Sequence, residues 1–202
     1  MKKGEKRKQE LLKIAYRLFV EKGYDNTSID EIIAEAGIAK GTYYYYFPSK
    51  EATLEAVTDM MICEEVERAK AVIAGMSSIP EKMAAVIYSL RPDNEEESIA
   101  NAVTAPENII LHEKLNKKLI AEAVPILSGI VREGVKQGVF NCEYIEERMR
   151  MILIMSSHMF DEGDYTENDV LVFIDTVEKT LGAKAGEMDF VKSLIKGGQS
   201  NE

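Results

Sequence analysis

The sequence predicts an all-α protein of about nine helices, on three kinds of observation. Apolar residues recur at the three- and four-residue spacing that places them on one face of a helix. No segment alternates apolar and polar residues as a half-buried strand does. Glycine and proline residues mark the ends of the helical stretches. With 202 residues, of which 46% are hydrophobic and 30% charged, the chain can form one large or two modest folded domains.

Residues that begin or end helices divide the chain. Gly23 follows the first amphipathic stretch as a C-terminal stop, and Ser28 with Glu31 forms a capping-box pattern for the next helix. Pro48 ends the third helix, and Ser49 is placed to cap the fourth. A break is predicted at Pro92-Asp93-Asn94. The predicted helices span about residues 6–22, 28–36, 40–46, 50–74, 80–90, 116–137, 144–162 and 167–183, with weaker segments at 95–105 and 106–115.

The helices near the end of the chain are unusually apolar. Residues 149–160, with the sequence MRMILIMSSHMF, are apolar on almost every side, so this helix must be buried all round. One face can pack inside the subunit and the other against a second copy, giving a homodimer; a fully internal helix in a monomer is the alternative. The residues with coiled-coil-like spacing, predicted to form the dimer interface, are Met149, Ile152, Ser156, Met159, Val170, Ile174, Val177 and Leu181.

The charge distribution is uneven along the chain. The net charge is −10, yet residues 1–50 hold ten of the 25 Lys and Arg residues and seven of the 35 Asp and Glu residues, a balance of +3. Residues 51–202 therefore carry 15 basic and 28 acidic side chains, or −13. A basic N-terminal segment on an acidic body points toward nucleic-acid contact by the basic part, although an imbalance of this size can also arise by chance.

Residues 37–50, with the sequence GIAKGTYYYYFPSK, place five aromatic residues in a row. A helix buries only some of its faces, so several rings must point outward, where phenol hydroxyls and lysines suit a phosphate-rich surface. Helices at about 28–36 and 40–46, joined by the turn Gly37-Ile38-Ala39, fit a helix-turn-helix motif whose second helix enters the major groove of DNA. Double-stranded DNA is therefore the leading candidate partner.

The segment FVEKGYDNTSIDEIIAEAGIAKGTYYYYFPSKEATL, residues 19–54, strongly resembles the signature of the TetR family of bacterial transcriptional regulators. The resemblance implies a three-helix helix-turn-helix DNA-binding domain over residues 1–50, with the motif at 28–47, and a helical ligand-sensing and dimerisation domain over 51–202. It implies a cytoplasmic homodimeric repressor that binds a palindromic operator and is released by a small molecule, with no cofactor. The matching positions are Phe19, Gly23, Tyr24, Thr27, Ile29, Ile32, Ala36-Gly37, Gly41-Thr42, Tyr44, Phe47, Lys50 and Leu54.

The resemblance also implies roles for individual side chains of the DNA-binding domain. Two positions depart from the family pattern: Ala39 stands where a capping Ser or Thr is usual, and Asp30 where many members have a basic residue. Tyr45 and Phe47 are expected to pack inside the domain. Contacts to bases or to their phosphates are expected from Lys40, Gly41, Thr42 and Tyr43, and contacts to backbone phosphates from Thr27, Ser28, Tyr44, Tyr46 and Lys50.

The effector pocket implied by the resemblance is only faintly marked in the sequence. Ten methionines are present, and methionine adapts to bulky apolar ligands, although ordinary core filling is the better explanation for them. The candidate ligand contacts are Met60, Met61, Met83, Tyr88, His112 and Met155.

Other functional classes find little support. The sequence contains no H-E-x-x-H, phosphate-binding loop or nucleophile-elbow motif and no cysteine–histidine metal spacing, so neither an enzyme nor a metal site is expected. Two distant cysteines fit a reducing cytosol. The most apolar run, MILIM at 151–155, is too short to span a membrane. A DNA-binding adaptor whose acidic body recruits a protein remains an alternative to a small-molecule sensor.

Overall fold

All regular secondary structure in the described part of the chain is helical. The computed structural model describes residues 3–90, 94–160 and 165–196. Short 3-10 turns at Asn94–Glu96 and Pro106–Asn108 precede the sixth and seventh α-helices. The α-helices are α1 Lys3–Lys22, α2 Ile29–Ala36, α3 Lys40–Tyr46, α4 Lys50–Ile73, α5 Ile79–Ser89, α6 Glu97–Thr104, α7 Ile109–Gln137, α8 Ile145–Phe160, α9 Glu167–Leu181 and α10 Phe190–Lys196.

The predicted all-α class is confirmed, and α3 has the bounds predicted for it. The segments predicted at 106–115 and 116–137 form the single helix α7, because no helix-breaking residue separates them and Pro125 lies inside the helix without ending it. Helix α10 was not predicted, since its seven residues carry no motif like that of α3 and show no clear apolar period on their own. The break predicted at 92–93 and the helix end predicted at residue 162 lie outside the described residues.

The chain divides into two compact units. The first comprises Met1–Glu64 with Pro92–Leu115, and the second Glu65–Arg91 with Asn116–Glu202. Helices α4 and α7 each contribute residues to both units. The domain boundary predicted after residue 50 lies within the first unit.

The core of the first unit is formed by α1, α2, α3 and the start of α4. Phe19 of α1 and Ile32 of α2 are fully buried, and the ring of Tyr24 meets the ring of Phe19 edge-on at 5.2 Å. Helix α6 packs against α1, where the Tyr16 hydroxyl donates to the carboxylate of the buried residue Glu96 at 3.1 Å. These contacts make the helix-turn-helix part of a larger packed unit.

The core of the second unit is built from α5, α7, α8, α9 and α10, with Ala69 of α4. Its α9 contains a buried acid, Glu178, whose carboxylate accepts hydrogen bonds from the backbone N–H groups of Gly186 (2.8 Å) and Met188 (3.0 Å). A buried charge of this kind is stabilised by such hydrogen bonds. They fix the turn between α9 and α10.

Helices α8 and α9 pack with their most regular apolar faces inward, which corrects the predicted dimer surface. Ser156 and Met159 are only half-buried. The remaining six predicted interface residues are buried within one subunit and belong to its own core: Met149, Ile152, Val170, Ile174, Val177 and Leu181. Apolar periodicity identifies a covered face, and here the subunit itself covers it. The large apolar side chains left exposed on these helices are Met151, Ile154, Leu171 and Val172.

Within the described ranges, no helix combines the length and the apolar character that crossing a lipid bilayer requires.

Substitution of Gly182, which ends α9, tests how tightly the second unit is packed around this residue. Its φ is +63°, and a Cβ there would clash with the Asn141 carbonyl oxygen. Gly138 ends α7 at φ +76°, but an added Cβ there meets no atom within 4 Å. We expect Gly138→Ala to lower the free energy of unfolding by about 1–2 kcal/mol through the left-handed backbone alone, and Gly182→Ala by at least about 2 kcal/mol more through overpacking. Urea denaturation at one protein concentration compares them; equal losses contradict the clash.

Candidate DNA-binding site

The first helix of the predicted motif, α2, has well-defined ends. Ser28 is the N-cap, and its hydroxyl accepts from the Glu31 N–H at 3.2 Å while the Glu31 carboxylate accepts from the Ser28 N–H at 2.8 Å. The predicted capping box is thus confirmed. Gly37 closes the helix with a left-handed backbone, φ +60°, and its N–H bonds the carbonyls of the last turn. The turn into α3 therefore starts from a fixed geometry.

The charge of Glu31 strengthens this cap. The Lys22 ammonium donates to the Glu31 carboxylate at 2.9 Å, and this hydrogen bond, followed by those from Ser28, lowers the pKa of Glu31 to about 2. The carboxylate is therefore charged at all physiological pH values, next to the positive end of the α2 dipole. The Glu31 carboxylate therefore adds one stable negative charge beside the turn before α2.

Helix α3 begins without a side-chain cap, as the sequence predicted, because Ala39 has no hydrogen-bonding side chain. Its first residue, Lys40, is ion-paired instead: the Nζ atom lies 3.1 Å from an Asp30 carboxylate oxygen of α2. This hydrogen bond raises the pKa of Lys40. At Gly41 an added Cβ would meet nothing within 4 Å, so the backbone there is open to close approach.

The tyrosines of α3 have different roles from those predicted. Tyr43, expected to face bases or their phosphates, is fully buried, and its hydroxyl lies 2.5 Å from the Thr53 hydroxyl of α4. Thr53 itself donates to the Ser49 carbonyl at 3.1 Å, which leaves Tyr43 as the donor to Thr53. Tyr45, expected to pack inside, is 83% exposed. Tyr43 and Phe47 lie four residues apart on the inward face of α3, and this spacing turns Tyr45 outward.

Two further aromatic residues flank this face. Tyr44 is 43% exposed, and its hydroxyl-bearing ring meets the Tyr43 ring edge-on at 5.5 Å. Tyr46 is half-buried beside Tyr45, with ring centroids 5.0 Å apart. Phe47 is buried, as predicted, under the Lys8 ammonium at 5.6 Å. The outward tyrosine surface of α3 therefore consists of Tyr44 and Tyr45, with Tyr46 at its edge.

The other side chains predicted to contact phosphates already make contacts within the fold. Thr27 is 1% exposed, and its hydroxyl is within hydrogen-bond distance of the Gly23 carbonyl (2.8 Å) and the Leu18 carbonyl (3.2 Å). The Ser28 hydroxyl serves the cap of α2. The half-buried Lys50 places its ammonium 3.3 Å from the Asp25 carbonyl and 4.2 Å from the centre of the Tyr24 ring. The hydroxyls of Thr27 and Ser28 thus fix the loop and the cap before α2, and their contact with backbone phosphate stays a prediction.

Sequence reasoning missed Tyr45 as part of the exposed surface. The signal for Tyr45 was available in the four-residue spacing of Tyr43 and Phe47. The pairing of Asp30 with Lys40 depends on how α2 and α3 cross, and no local sequence pattern predicts it. The half-buried Thr42 completes the outward N-terminal part of α3.

The candidate effector residues do not line either of two cavities, one in each unit. Met83 and Met61 are buried, Met60, His112 and Met155 are half-buried, and Tyr88 is 72% exposed. A groove of about 450 Å³ in the second unit contains none of them. Nor does a polar cavity of about 430 Å³ in the first unit. The groove is lined by Lys70, Ile73, Lys82, Glu122, Pro125, Ile126, Gly129, Ile130 and Glu133.

The groove combines an isoleucine-rich floor with one ion pair, in which the Lys82 ammonium donates to the Glu133 carboxylate at 2.6 and 2.8 Å. Such a mixture suits a mainly apolar ligand with one polar group. In the described part of the chain, no group of His, Cys, Asp and Glu side chains is arranged to hold a metal ion.

The cap of α2 predicts a pH effect. The ordinary pKa of Glu31 is 4.5 and its value in the fold is about 2, so the stabilisation by its charged form is complete above pH 4.5 and is lost as the pH falls toward 2. We expect the free energy of unfolding to fall more steeply between pH 4.5 and 2 for the wild type than for Glu31→Gln. Urea denaturation at stepped pH measures both slopes, and parallel slopes contradict the assignment.

The exchange of roles between Tyr43 and Tyr45 predicts a stability difference. Tyr43→Phe removes a buried donor from Thr53 and is expected to lower the free energy of unfolding by about 1 kcal/mol. Tyr45→Phe changes an exposed hydroxyl and is expected to stay within about 0.5 kcal/mol of the wild type. Thermal or urea denaturation compares the two, and a larger loss for Tyr45→Phe would contradict the inward placement of Tyr43.

Comparison with known proteins is consistent with this geometry. The family description "Bacterial regulatory proteins, tetR family" matches residues 11–57, and "Tetracyclin repressor-like, C-terminal domain" matches residues 92–171. The "Fatty acid metabolism regulator protein" of Bacillus subtilis is 28% identical over 142 residues, 68% of this chain and 73% of that protein. The "HTH-type transcriptional repressor KstR2" of Rhodococcus jostii is 27% identical over 141 residues, 68% of this chain and 69% of that protein.

Solved structures share the fold. The crystal structure of RolR in complex with resorcinol aligns with a TM-score of 0.66 and 20% identity over 92% of each chain. Members of this family are transcription regulators and not enzymes. The helix-turn-helix at α2 and α3, the two family matches and the shared fold together place this chain in the TetR family of transcriptional regulators.

Proposed function

We propose that this TetR-family regulator is a repressor that binds a palindromic DNA operator as a homodimer and is released by a small apolar molecule. The observation that carries the proposal is the two-sided character of α3. Tyr43 and Phe47 bury one side against the rest of the first unit. Lys40, Gly41 and Tyr44 are exposed on the helix. A helix held in this way can enter the major groove without losing its own support.

The DNA contacts follow from the exposure of each side chain. Lys40, Gly41 and Thr42 lie at the start of α3, where a recognition helix contacts base edges. Tyr44, Tyr46 and the Lys50 ammonium supply hydroxyl and charged donors for phosphate oxygens. Thr27 and Ser28 act indirectly, since their hydroxyls hold the loop and the cap that orient α2. Tyr45, at 83% exposure, is added to the phosphate-facing set.

Dimerisation is proposed through the exposed apolar side chains of α8 and α9. Met151 is 69% exposed and Val172 63%, and Ile154 and Leu171 are also exposed. A second copy of the chain could cover these side chains through a two-fold symmetric contact. Such a dimer presents two α3 helices to half-sites one helical turn of DNA apart, about 34–36 Å, or a multiple of that distance.

Release by a small molecule is supported by the family and by the character of the second unit. One similar protein is named a fatty acid metabolism regulator, and one similar structure contains resorcinol. The groove at Ile73, Ile126 and Ile130 offers apolar surface beside the Lys82–Glu133 ion pair. The methionines and aromatic residues predicted from the sequence remain candidate contacts: Met60, Met61, Met83, Tyr88, His112 and Met155.

The coupling between ligand and operator is expected to be reciprocal. If a ligand weakens operator binding by some factor, operator DNA must weaken ligand binding by the same factor. Helix α4 contributes to both units and carries Thr53, the partner of Tyr43, so a change in α4 can alter the placement of α3.

Selection of bound duplexes from a random-sequence pool by the purified protein tests the proposal. We expect enrichment of a palindrome with two half-sites. The selected duplex then serves to screen apolar compounds for release, with ligand affinity measured in its presence and absence. Failure to enrich any sequence contradicts operator binding, and equal ligand affinity with and without the duplex contradicts the release mechanism.

Lys50 provides a test of phosphate contact. We expect Lys50→Ala to weaken binding to the selected duplex and to unrelated duplexes by a similar factor, because phosphate contacts carry no sequence information. The slope of log affinity against log salt should become shallower by about 0.9. Lys184→Ala, an equal charge change at an exposed position of the second unit, is the control and should leave both quantities unchanged. Altered base preference with an intact salt slope would contradict the assignment.

A second candidate function is a DNA-binding adaptor that recruits a protein through its acidic body and senses no small molecule. The balance of −13 over residues 51–202 favours it. If the protein is an adaptor, we expect that no small molecule releases it from the operator. We also expect a basic protein partner to bind it in a salt-sensitive manner.

A further inference from the structure

An ion pair between Asp30 and Lys40 links α2 to α3, and its place is unusual for a surface expected to meet phosphates. Asp30 is the second residue of α2 and Lys40 the first residue of α3. Their charged atoms are 3.1 Å apart, and the side chains are 76% and 63% exposed. The carboxylate therefore lies at the same surface as the ammonium that is expected to contact DNA.

Stability does not account for this pair. An ion pair between two exposed side chains contributes about 0–1 kcal/mol to folding. Helix α3 is already held by the buried Tyr43 and Phe47 and by the hydrogen bond to Thr53. An acid beside the DNA also opposes binding to any phosphate backbone, which lowers affinity for all sequences. A carboxylate there is favourable only where the DNA presents a hydrogen-bond donor.

The major-groove edge of a G·C pair has the complementary order of groups. Guanine presents two acceptors, N7 and O6, and cytosine then presents its N4 amino donor. O6 and N4 are hydrogen-bonded to each other within the base pair, so they lie about 2.9 Å apart. The Lys40–Asp30 separation of 3.1 Å is close to that distance. A donor and an acceptor side chain at this spacing can therefore meet both bases together.

We propose that Lys40 and Asp30 act as one unit that recognises a single G·C base pair in each half-site. The Lys40 ammonium donates to guanine N7 and O6, and the Asp30 carboxylate accepts from cytosine N4. An A·T pair fits less well, because its edge runs acceptor, donor, acceptor, methyl. A carboxylate at adenine N6 then has an acceptor on each side. This assignment rests on the proposed DNA-binding function and adds a specificity determinant to it.

Parallel selections from one random duplex pool test the assignment, using the wild type, Asp30→Ala, Lys40→Ala and the double variant. We expect the wild type to fix a G·C pair at one position of each half-site, with about 5-fold to 150-fold discrimination. Both single variants should relax that same position, and the double variant should relax it no further. Relaxation at two different positions, or at none, overturns the proposal.

Affinity for a duplex of unrelated sequence separates recognition from simple repulsion. If Asp30 binds cytosine, Asp30→Ala raises affinity for the unrelated duplex but loses discrimination at the G·C position. If Asp30 only repels phosphate, the variant binds every sequence more tightly and keeps its base preference, which overturns the proposal. The salt slope for the unrelated duplex should steepen by about 0.9 as Lys40 is freed to contact phosphate.

Glu35→Ala is the matched control, because it removes one acid from the same helix. Glu35 is also exposed, at 50%, and it pairs with Arg17 of α1 at 2.6 Å instead of with α3. Its base preference should match that of the wild type at every position. The mutated side chains are exposed, so unchanged thermal denaturation verifies the folds. Failure of the wild type to enrich any sequence would contradict the proposed function itself, whereas a defined palindrome with unaltered variants contradicts only the Asp30–Lys40 assignment.

Discussion

The burial of Tyr43 is the constraint on which the DNA-binding surface depends. A tyrosine inside a core must satisfy its hydroxyl, since an unpaired buried donor costs about 1–3 kcal/mol. Thr53 on α4 provides the acceptor, and Thr53 is itself fixed by the Ser49 carbonyl. One face of α3 is thereby turned toward α4. The opposite face, with Gly41 and Tyr44, is left to solvent as a consequence of this packing.

Buried and exposed interactions have different roles in this site. The hydrogen bonds of Thr27 and Tyr43 lie inside the first unit and cannot be exchanged for contacts to DNA without loss of structure. The ion pair of Lys40 with Asp30 lies in water, where it contributes little, so it can be replaced by contacts to bases at small cost. The rigid groups thus orient the helix, and the exposed groups remain available for recognition.

The same distinction explains α8 and α9. Their apolar residues occupy more than one face, and the face with the most regular spacing forms the core of the second unit, with Leu181 and Val177 among its most buried members. The less regular positions, such as Met151 and Val172, are the ones left exposed. A dimer surface is therefore proposed from what the subunit leaves uncovered and not from the strongest periodicity.

The sequence by itself determined the all-α class, the bounds of α3, the capping box of α2 and the family signature, because these depend on interactions between residues a few positions apart. Only the tertiary structure decided that Tyr43 points inward and Tyr45 outward, and that Asp30 pairs with Lys40. It likewise decided that the periodic faces of α8 and α9 are core. Each of these depends on which element covers a given helix face, and a local apolar pattern shows that a face is covered without identifying what covers it.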